Sequence, residues 1–464
     1  MQVNGENQTG EAASPPSPVA AWSAVAVLSG LYMFSFVDRQ ILVLLIEPIK
    51  HDLGLTDTGV SLLTGLAFAA VYAVMGVPMG RAADLWSRKR VILLGATLWG
   101  LLTMLCGFAR DFKEMFVARM GVGLGEAALT PAGYAMVADL FAPEKLARGM
   151  SVFVIGGVVG SGVSLILGGL VIDLVERVGV ISLPFFGEMR VWQLALLTVG
   201  ALSLMMVIPL LFVTEPVRKK SAGSAELSMR FSAVLGYMAS GRRFFVSYVL
   251  GMSVVSLYFY GSSAWFPTYF IRVHEWSAAS IGMTLGTLSV PCLLIGGLSA
   301  GWCSDFLGRR GVSAPSIRIL VTVVLLSLPL PLATIVVSAI EAKFVLLGLS
   351  YLLFGAIIVM APIAIQLASP VQIRAQISAI YLLVANMISI GCGPTVIALI
   401  TDYGFADELR VGASIGIVGT ICFAMGAVLL SRSISGFHLT QTALRVAPGG
   451  AGLPASVNVE PLRA

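Results

Sequence analysis

Charge is scarce in this chain. Of its 464 residues only 11% are Asp, Glu, Lys or Arg, while 57% are hydrophobic. Mean hydropathy is +0.93. A water-soluble protein of this length cannot hide so much apolar surface, so the composition makes lipid the solvent for much of the molecule. Histidine is nearly missing. His51, His274 and His438 fall at the ends of apolar stretches or in the C-terminal tail. This excludes a histidine metal cluster, and it denies a membrane-embedded acyltransferase its nucleophile–base pair. The five cysteines (Cys106, Cys292, Cys303, Cys392, Cys422) lie in or beside apolar stretches without paired spacing. They read as small buried hydrophobes, which excludes a disulfide framework. Residues 1–19 contain no Lys or Arg, so no secretory signal opens the chain, and the Asn7-Gln8-Thr9 sequon reads as accidental.

What the chain does contain is apolar runs. Twelve helices are expected, at about 20–48, 58–82, 90–109, 112–140, 148–174, 190–213, 243–271, 278–303, 316–339, 343–369, 373–401 and 410–431. Each is long enough to cross roughly 30 Å of hydrocarbon at about 1.5 Å per residue. Net charge is +5, but the basic residues occupy short loops, which is a topology signal and excludes nucleic acid as a partner. Nineteen Lys and Arg fall on one set of loops and tails and eight on the other, with Arg39 and Arg119 inside spans. That bias places both termini in the cytoplasm.

One loop signature is written twice. Gly80-Arg81-Ala82-Ala83-Asp84 leads to Arg88-Lys89-Arg90, and Gly301-Trp302-Cys303-Ser304-Asp305 leads to Arg309-Arg310, with the two Asp 221 residues apart. The chain therefore reads as an all-α membrane protein with two pseudo-symmetric six-helix bundles, the architecture that moves a solute by rocking one half against the other. The expected divisions are a disordered cytoplasmic tail over 1–19, a bundle over 20–213, a cytoplasmic connector over 214–242, a second bundle over 243–432 and a flexible cytoplasmic tail over 433–464. Glu226 to Met238 has the alternation of a short surface helix, and a solvated linker fits it equally. Each repeated Asp is placed to cap a helix of the opposite half, so Gly80, Asp84, Arg88, Asp139, Arg148, Gly301, Asp305 and Arg309 form a candidate gate latch. The small-residue stripe Gly156, Gly160, Ser164, Gly168 reads as close helix packing and nothing more.

Four charges fall inside spans: Asp38 and Arg39 on the first, Arg119 and Glu126 on the fourth. A charge at mid-bilayer costs at least about 2.5–3.5 kcal/mol, so such residues usually face a cavity or a partner. Arg119 and Glu126 are seven apart and share a helix face. Counted inward along the helices, Asp38 falls at a depth between them. The functional reading makes Asp38 and Glu126 proton carriers or head-group ligands; Arg39 either holds Asp38 ionised or, with Arg119, faces an anionic head group. The plain reading is two ion pairs that fix packing. The second half offers no such charges, and Tyr258, Tyr260, Trp265 and Asn386 are its candidate substrate contacts.

With these residues in place the chain resembles the major facilitator superfamily. Gly80 to Arg90 is similar to that superfamily's second-to-third-span motif, with Leu85 where an Arg is common, and Arg119 with Gly123, Gly125 and Glu126 resembles its fourth-span motif. More narrowly, Phe36-Val37-Asp38-Arg39, Arg119 through Ala127, and Asp139-Leu140-Phe141 look like the Spinster family. The resemblance implies proton-coupled movement of lysophospholipids or sphingoid lipids such as sphingosine 1-phosphate, with Asp38, Arg39, Arg119 and Glu126 at the transport site. The Gly-Pro pair that marks antiporters in the fifth span is absent (Gly160-Ser161-Gly162). The expectation is a secondary active transporter in the inner membrane, with a lipid-like amphiphile and protons as its partners. It is expected to act as a monomer, with no cofactor and no enzymatic activity. The rivals are a proton-coupled multidrug or small-metabolite carrier of the same fold, and a receptor or scaffold.

Overall fold

The computed structural model describes residues 17–179, 181–183, 187–216, 231–370 and 373–446. Helix starts follow the punctuation of the sequence. Ser17 caps the first span ahead of Pro18, and Thr56, Ser87, Asp111 and Ser277 each accept a backbone N–H three residues on. Gly54 ends the short helix Ile46–Leu53 with φ of 62°, a left-handed stop that leaves the chain free to turn back into the membrane.

Among the described residues eleven helices are long and apolar enough to cross a membrane. The expected fourth span is built instead from two helices in succession, Phe112–Glu126 and Leu129–Leu140. Its charged residues and the break beside Glu126 keep it from reading as one apolar rod. The segments Asp57–Leu85 and Ala278–Arg309 begin 221 residues apart, the same offset as the two loop signatures. A short antiparallel hairpin, Ile181–Leu183 with Gly187–Met189, joins the fifth and sixth spans.

Two expected boundaries move. The last helix continues from Val411 to Val446, so the tail expected to be flexible from 433 is helical that far. It is held there by Phe437, fully buried with its ring 5.4 Å from Phe244. In the connector, helix Phe231–Ser240 is docked on the second half by Val234, buried, and by the Tyr237 hydroxyl, which donates to Ala368 O at 2.8 Å. The N-terminal tail before residue 17, the connector over 217–230 and the chain after 446 lie outside the described residues.

The two halves meet along two seams. A methyl group at Gly169 of the fifth span would sit 2.8 Å from Ala279 O of the eighth, and one at Gly65 of the second span would sit 2.9 Å from Ile390 O of the eleventh. Both seams lie in the part of the molecule toward Lys50, Arg272 and Glu408, called here the latched face. The basic face is the one carrying Arg88 to Arg90 and Arg309.

Candidate functional site: a central chamber and the latch that closes it

A chamber of about 470 Å³ lies between the halves. Its wall runs from Val43, Leu165 and Pro394, near the latched face, to Val154 and Pro362, close to the basic-face ends of their helices. The lining is mainly aromatic and aliphatic, with the amides of Gln40 and Asn386 and a few Ser and Thr hydroxyls among it, and Arg39 is its one charged side chain among the described residues. The Arg39 guanidinium lies 4.5 Å from the Phe68 ring centre, with Tyr72 and Phe36 at 5.0 and 5.1 Å, a stack that orients a cation while leaving it exposed on one side. Its Nε and Nη2 both donate to Oε2 of Glu126, at 2.9 and 2.5 Å. Glu126 is 1% exposed, and its other oxygen, Oε1, has no hydrogen-bond partner.

Behind this pair the remaining two charges are sealed. Asp38 is fully buried, and Ser203 Oγ lies 3.2 Å from both of its oxygens. Arg119, 1% exposed, reaches Leu63 O through Nε at 3.4 Å and lies 5.5 Å from the Phe68 ring. The structure thus gathers Asp38, Arg39, Arg119 and Glu126 into one cluster, but only Arg39 reaches the chamber. Asp38, Arg119 and Glu126 do not line the chamber, which corrects the reading of all four as groups facing a cavity. The reason was visible in the sequence: Asp38 and Arg39 are adjacent, so their side chains leave the helix roughly 100° apart and cannot share a face.

Of the second-half candidates, Tyr260 and Asn386 line the chamber. Trp265 does not: it is fully buried, with Nε1 donating to Pro394 O at 2.8 Å. Tyr258 belongs to a separate small cavity inside the second half. At the basic face Arg88 pairs with Asp139 and donates to Ala135 O at 2.6 Å, both contacts within the first half. Glu215 accepts from the Ser87 hydroxyl and from Arg88 N–H, so the third span's N-terminus is also capped from its own half. A methyl group at Gly80 would sit 3.6 Å from Pro131 Cβ of its own half, and no atom lies within 4 Å of one at Gly301. Asp84, Arg148, Asp305 and Arg309 are exposed on this face.

The polar links between the halves gather at the latched face, at span ends where a charge in the sequence marks only topology. Arg272, 5% exposed at the end of the seventh span, donates to both oxygens of Asp57 at 2.7 Å and to Glu47 at 2.7 Å. Lys50 bridges Asp57 at 2.7 Å and Glu408 at 2.5 Å. Asp402 of the eleventh span accepts from Thr58 N–H at 2.7 Å and from its hydroxyl at 2.6 Å, capping the second span across the divide. Ser61 adds a hydroxyl contact to Thr395 at 3.2 Å. Cross-half capping by an Asp therefore does occur, at the face opposite the repeated signature. The state described is closed at the latched face.

Two helical halves around a mid-membrane chamber, tied across one face by ion pairs, define a polytopic solute transporter. The Major Facilitator Superfamily model matches residues 28–394, and the chain belongs to that family. An MFS-type efflux pump of Mycolicibacterium smegmatis is 30% identical over 434 residues, covering 90% of this chain and 95% of that protein. Protein spinster of Drosophila melanogaster is 25% identical over 251 residues, 54% of this chain and 39% of its own. Among solved structures, a bacterial homolog of the human lysosomal transporter Spinster, in an inward-facing and unoccupied conformation, superposes with a TM-score of 0.76 at 20% identity. It covers 94% of this chain and 100% of its own. The protein is a multi-pass transporter of this superfamily, and not an enzyme.

Proposed function

We propose that this transporter carries an anionic, lipid-like amphiphile by proton-coupled alternating access. One observation carries the reading: Arg39, the one cation among the described lining residues, projects into a mainly apolar and aromatic chamber, and its counter-ion is a buried carboxylate with an unpartnered oxygen. An anionic head group competes with Glu126 for Arg39, while the apolar remainder lies against the second half. A buried carboxylate stripped of its cation is costly, and it relieves that cost by binding a proton. Glu126 is therefore the group through which substrate and proton are linked. Asp38, with Ser203 Oγ 3.2 Å from both of its oxygens, is a second proton carrier in the same cluster. Arg119 sits beside both carboxylates and offsets their charge. Tyr260 and Asn386 supply contacts from the opposite wall.

The basic loops set the membrane orientation: the basic face and both termini are cytoplasmic, the latched face is external, and the membrane is the inner membrane. The chamber then opens inward in this state. When it reverses, Asp84 and Asp305, with Arg88, Asp139 and Arg309, close the basic face as the latch parts. The test is transport into proteoliposomes of a lysophosphatidate driven by an imposed pH gradient. Uptake that collapses with the gradient and is lost in Glu126→Gln supports the proposal. Uptake indifferent to pH, with lysolipids failing to compete against small hydrophilic anions, would refute it. The efflux-pump relative favours one second reading, a proton-coupled carrier of amphiphilic drugs, and competition by cationic drugs in place of lysolipids would select it.

A further inference from the structure

Next to the chamber, within the second half, lies a second cavity of about 30 Å³. It is bounded by the seventh, ninth, tenth and twelfth spans, through residues such as Tyr258, Phe266, Ser327, Leu347 and Phe423. Phe259, Ser263, Tyr351, Phe354 and Ile357 line both spaces, so the two adjoin across a wall one side chain thick. The centre of that wall is a ring pair. Phe259 of the seventh span and Phe354 of the tenth stack face to face, 3.3 Å between centroids and 8° from parallel. A parallel sandwich is the less favoured arrangement of two aromatic rings, offset and edge-on contacts being better. Two ring side chains, with no polar tie between them, thus form the middle of the wall.

Three of this cavity's four serines are spent locally, and the fourth, Ser263, lies in the wall shared with the chamber. Ser262, Ser327 and Ser350 each donate their one hydroxyl proton to a carbonyl of their own helix, Phe259 O at 3.1 Å, Val323 O at 2.8 Å and Leu346 O at 2.9 Å. What remains facing the space is mostly carbon. Since one water needs about 10–15 Å³ of such volume, the closed cavity holds two or three waters at most and no hydrocarbon.

We propose that this cavity is a tail subsite: when the Phe259–Phe354 pair parts, the chamber extends into the second half and takes the far end of an apolar chain whose anionic head lies at Arg39. This rests on the anionic-amphiphile reading and adds to it the determinant of chain length. The head site belongs to the first half and the tail subsite to the second. A long-chain substrate therefore spans both halves, and a short one engages the first alone.

The experiment measures thermal stabilisation of detergent-purified, full-length protein by n-alkyl phosphates of about six to sixteen carbons, with apparent affinity taken from the concentration dependence. For the unmodified protein affinity rises by up to about fourfold per added methylene, until chamber and subsite are full. Ser327→Phe fills the subsite from the ninth span, which does not line the chamber, and lowers affinity for the long members at least tenfold while leaving the short ones unchanged. Phe354→Ala removes the wall, moves the rise to longer chains and reports on the same subsite should Ser327→Phe fail to fold. Chain-length profiles in both variants that overlay the unmodified protein would overturn the tail subsite alone. Absence of stabilisation by every alkyl phosphate would overturn the anionic-amphiphile reading, and the subsite with it.

Discussion

Replacing Arg272 with Ala removes the centre of the latch. Arg272 makes paired bonds to Asp57 and a third to Glu47, and it lies across the divide from both. Asp57 is fully buried, so the loss leaves its carboxylate with Lys50 alone. Breaking a buried ion pair from one side costs about 3–5 kcal/mol. Lys50 retains part of the compensation, and the network borders the surface at Glu408, so about 2–3 kcal/mol is a fair figure. The latch exists only in the state closed at this face, so the cost falls on that state, and the conformational equilibrium shifts by about 30- to 150-fold. The assay is a distance distribution between spin labels at His51→Cys and Val336→Cys, exposed positions near the latched face on opposite halves, with Cys303 and Cys392 replaced. The unmodified pair should populate mainly the short distance, and Arg272→Ala should move most of the population to a longer one. Arg272→Lys should give an intermediate result, because an ammonium keeps the charge but loses the planar two-bond fit to Asp57. A folded Arg272→Ala protein with an unchanged distribution would refute the latch.

Other consequences can be checked independently. Gly169→Val puts bulk against Ala279 O at a seam already in contact and should favour separation at the latched face, read by the same label pair. Lys343, 3% exposed, donates to Tyr269 Oη and to the last-turn carbonyls Thr334 O and Ile335 O, so Lys343→Met should destabilise by about 1–3 kcal/mol in a thermal melt. Asp52 joins the loop after the first span to the start of the sixth: burial pushes its carboxyl up, but hydrogen bonds from Arg190, Trp192 and His51 outweigh that and hold it below the usual carboxylate range. Its contribution, about 1 kcal/mol after solvent screening, is then present above about pH 4 and is lost as pH falls through the lowered value. Asp52→Asn should therefore lower the melting temperature at neutral pH and make progressively less difference as pH falls through the lowered carboxyl value, and a pH-independent effect would contradict this.

The fold was legible because lipid imposes a simple code: a long apolar run must be a helix, and basic loops carry orientation. The duplicated Gly-x-x-x-Asp signature gave the two halves, and the helix starts at Asp57 and Ala278 keep its offset. The fourth span was the hardest to place because the residues that make it interesting, Arg119 and Glu126, also lower its hydropathy. In the site, charge inside a span drew attention to four residues that the structure gathers into one cluster, while their relation to the chamber required geometry, since helix-face arguments fix directions and not neighbours. The latch was not legible at all. Arg272 and Asp57 are 215 positions apart, each sits at a span end where a charge is ordinary, and nothing in either segment announces the other. Trp265 and Tyr258 show the converse error: aromatic residues on one helix looked alike in sequence, yet one is sealed against Pro394 and the other faces a different cavity.

The central claim, that anion binding at Arg39 releases Glu126 to take up a proton, is tested most directly by proton uptake on ligand binding. A saturating short-chain alkyl phosphate is added to purified protein in weakly buffered solution with a pH indicator, and protons absorbed are counted against ligand bound. The account predicts close to one proton absorbed per anion bound, and none in Glu126→Gln at comparable occupancy. Stoichiometric binding with no proton uptake, or equal uptake in Glu126→Gln, would contradict it.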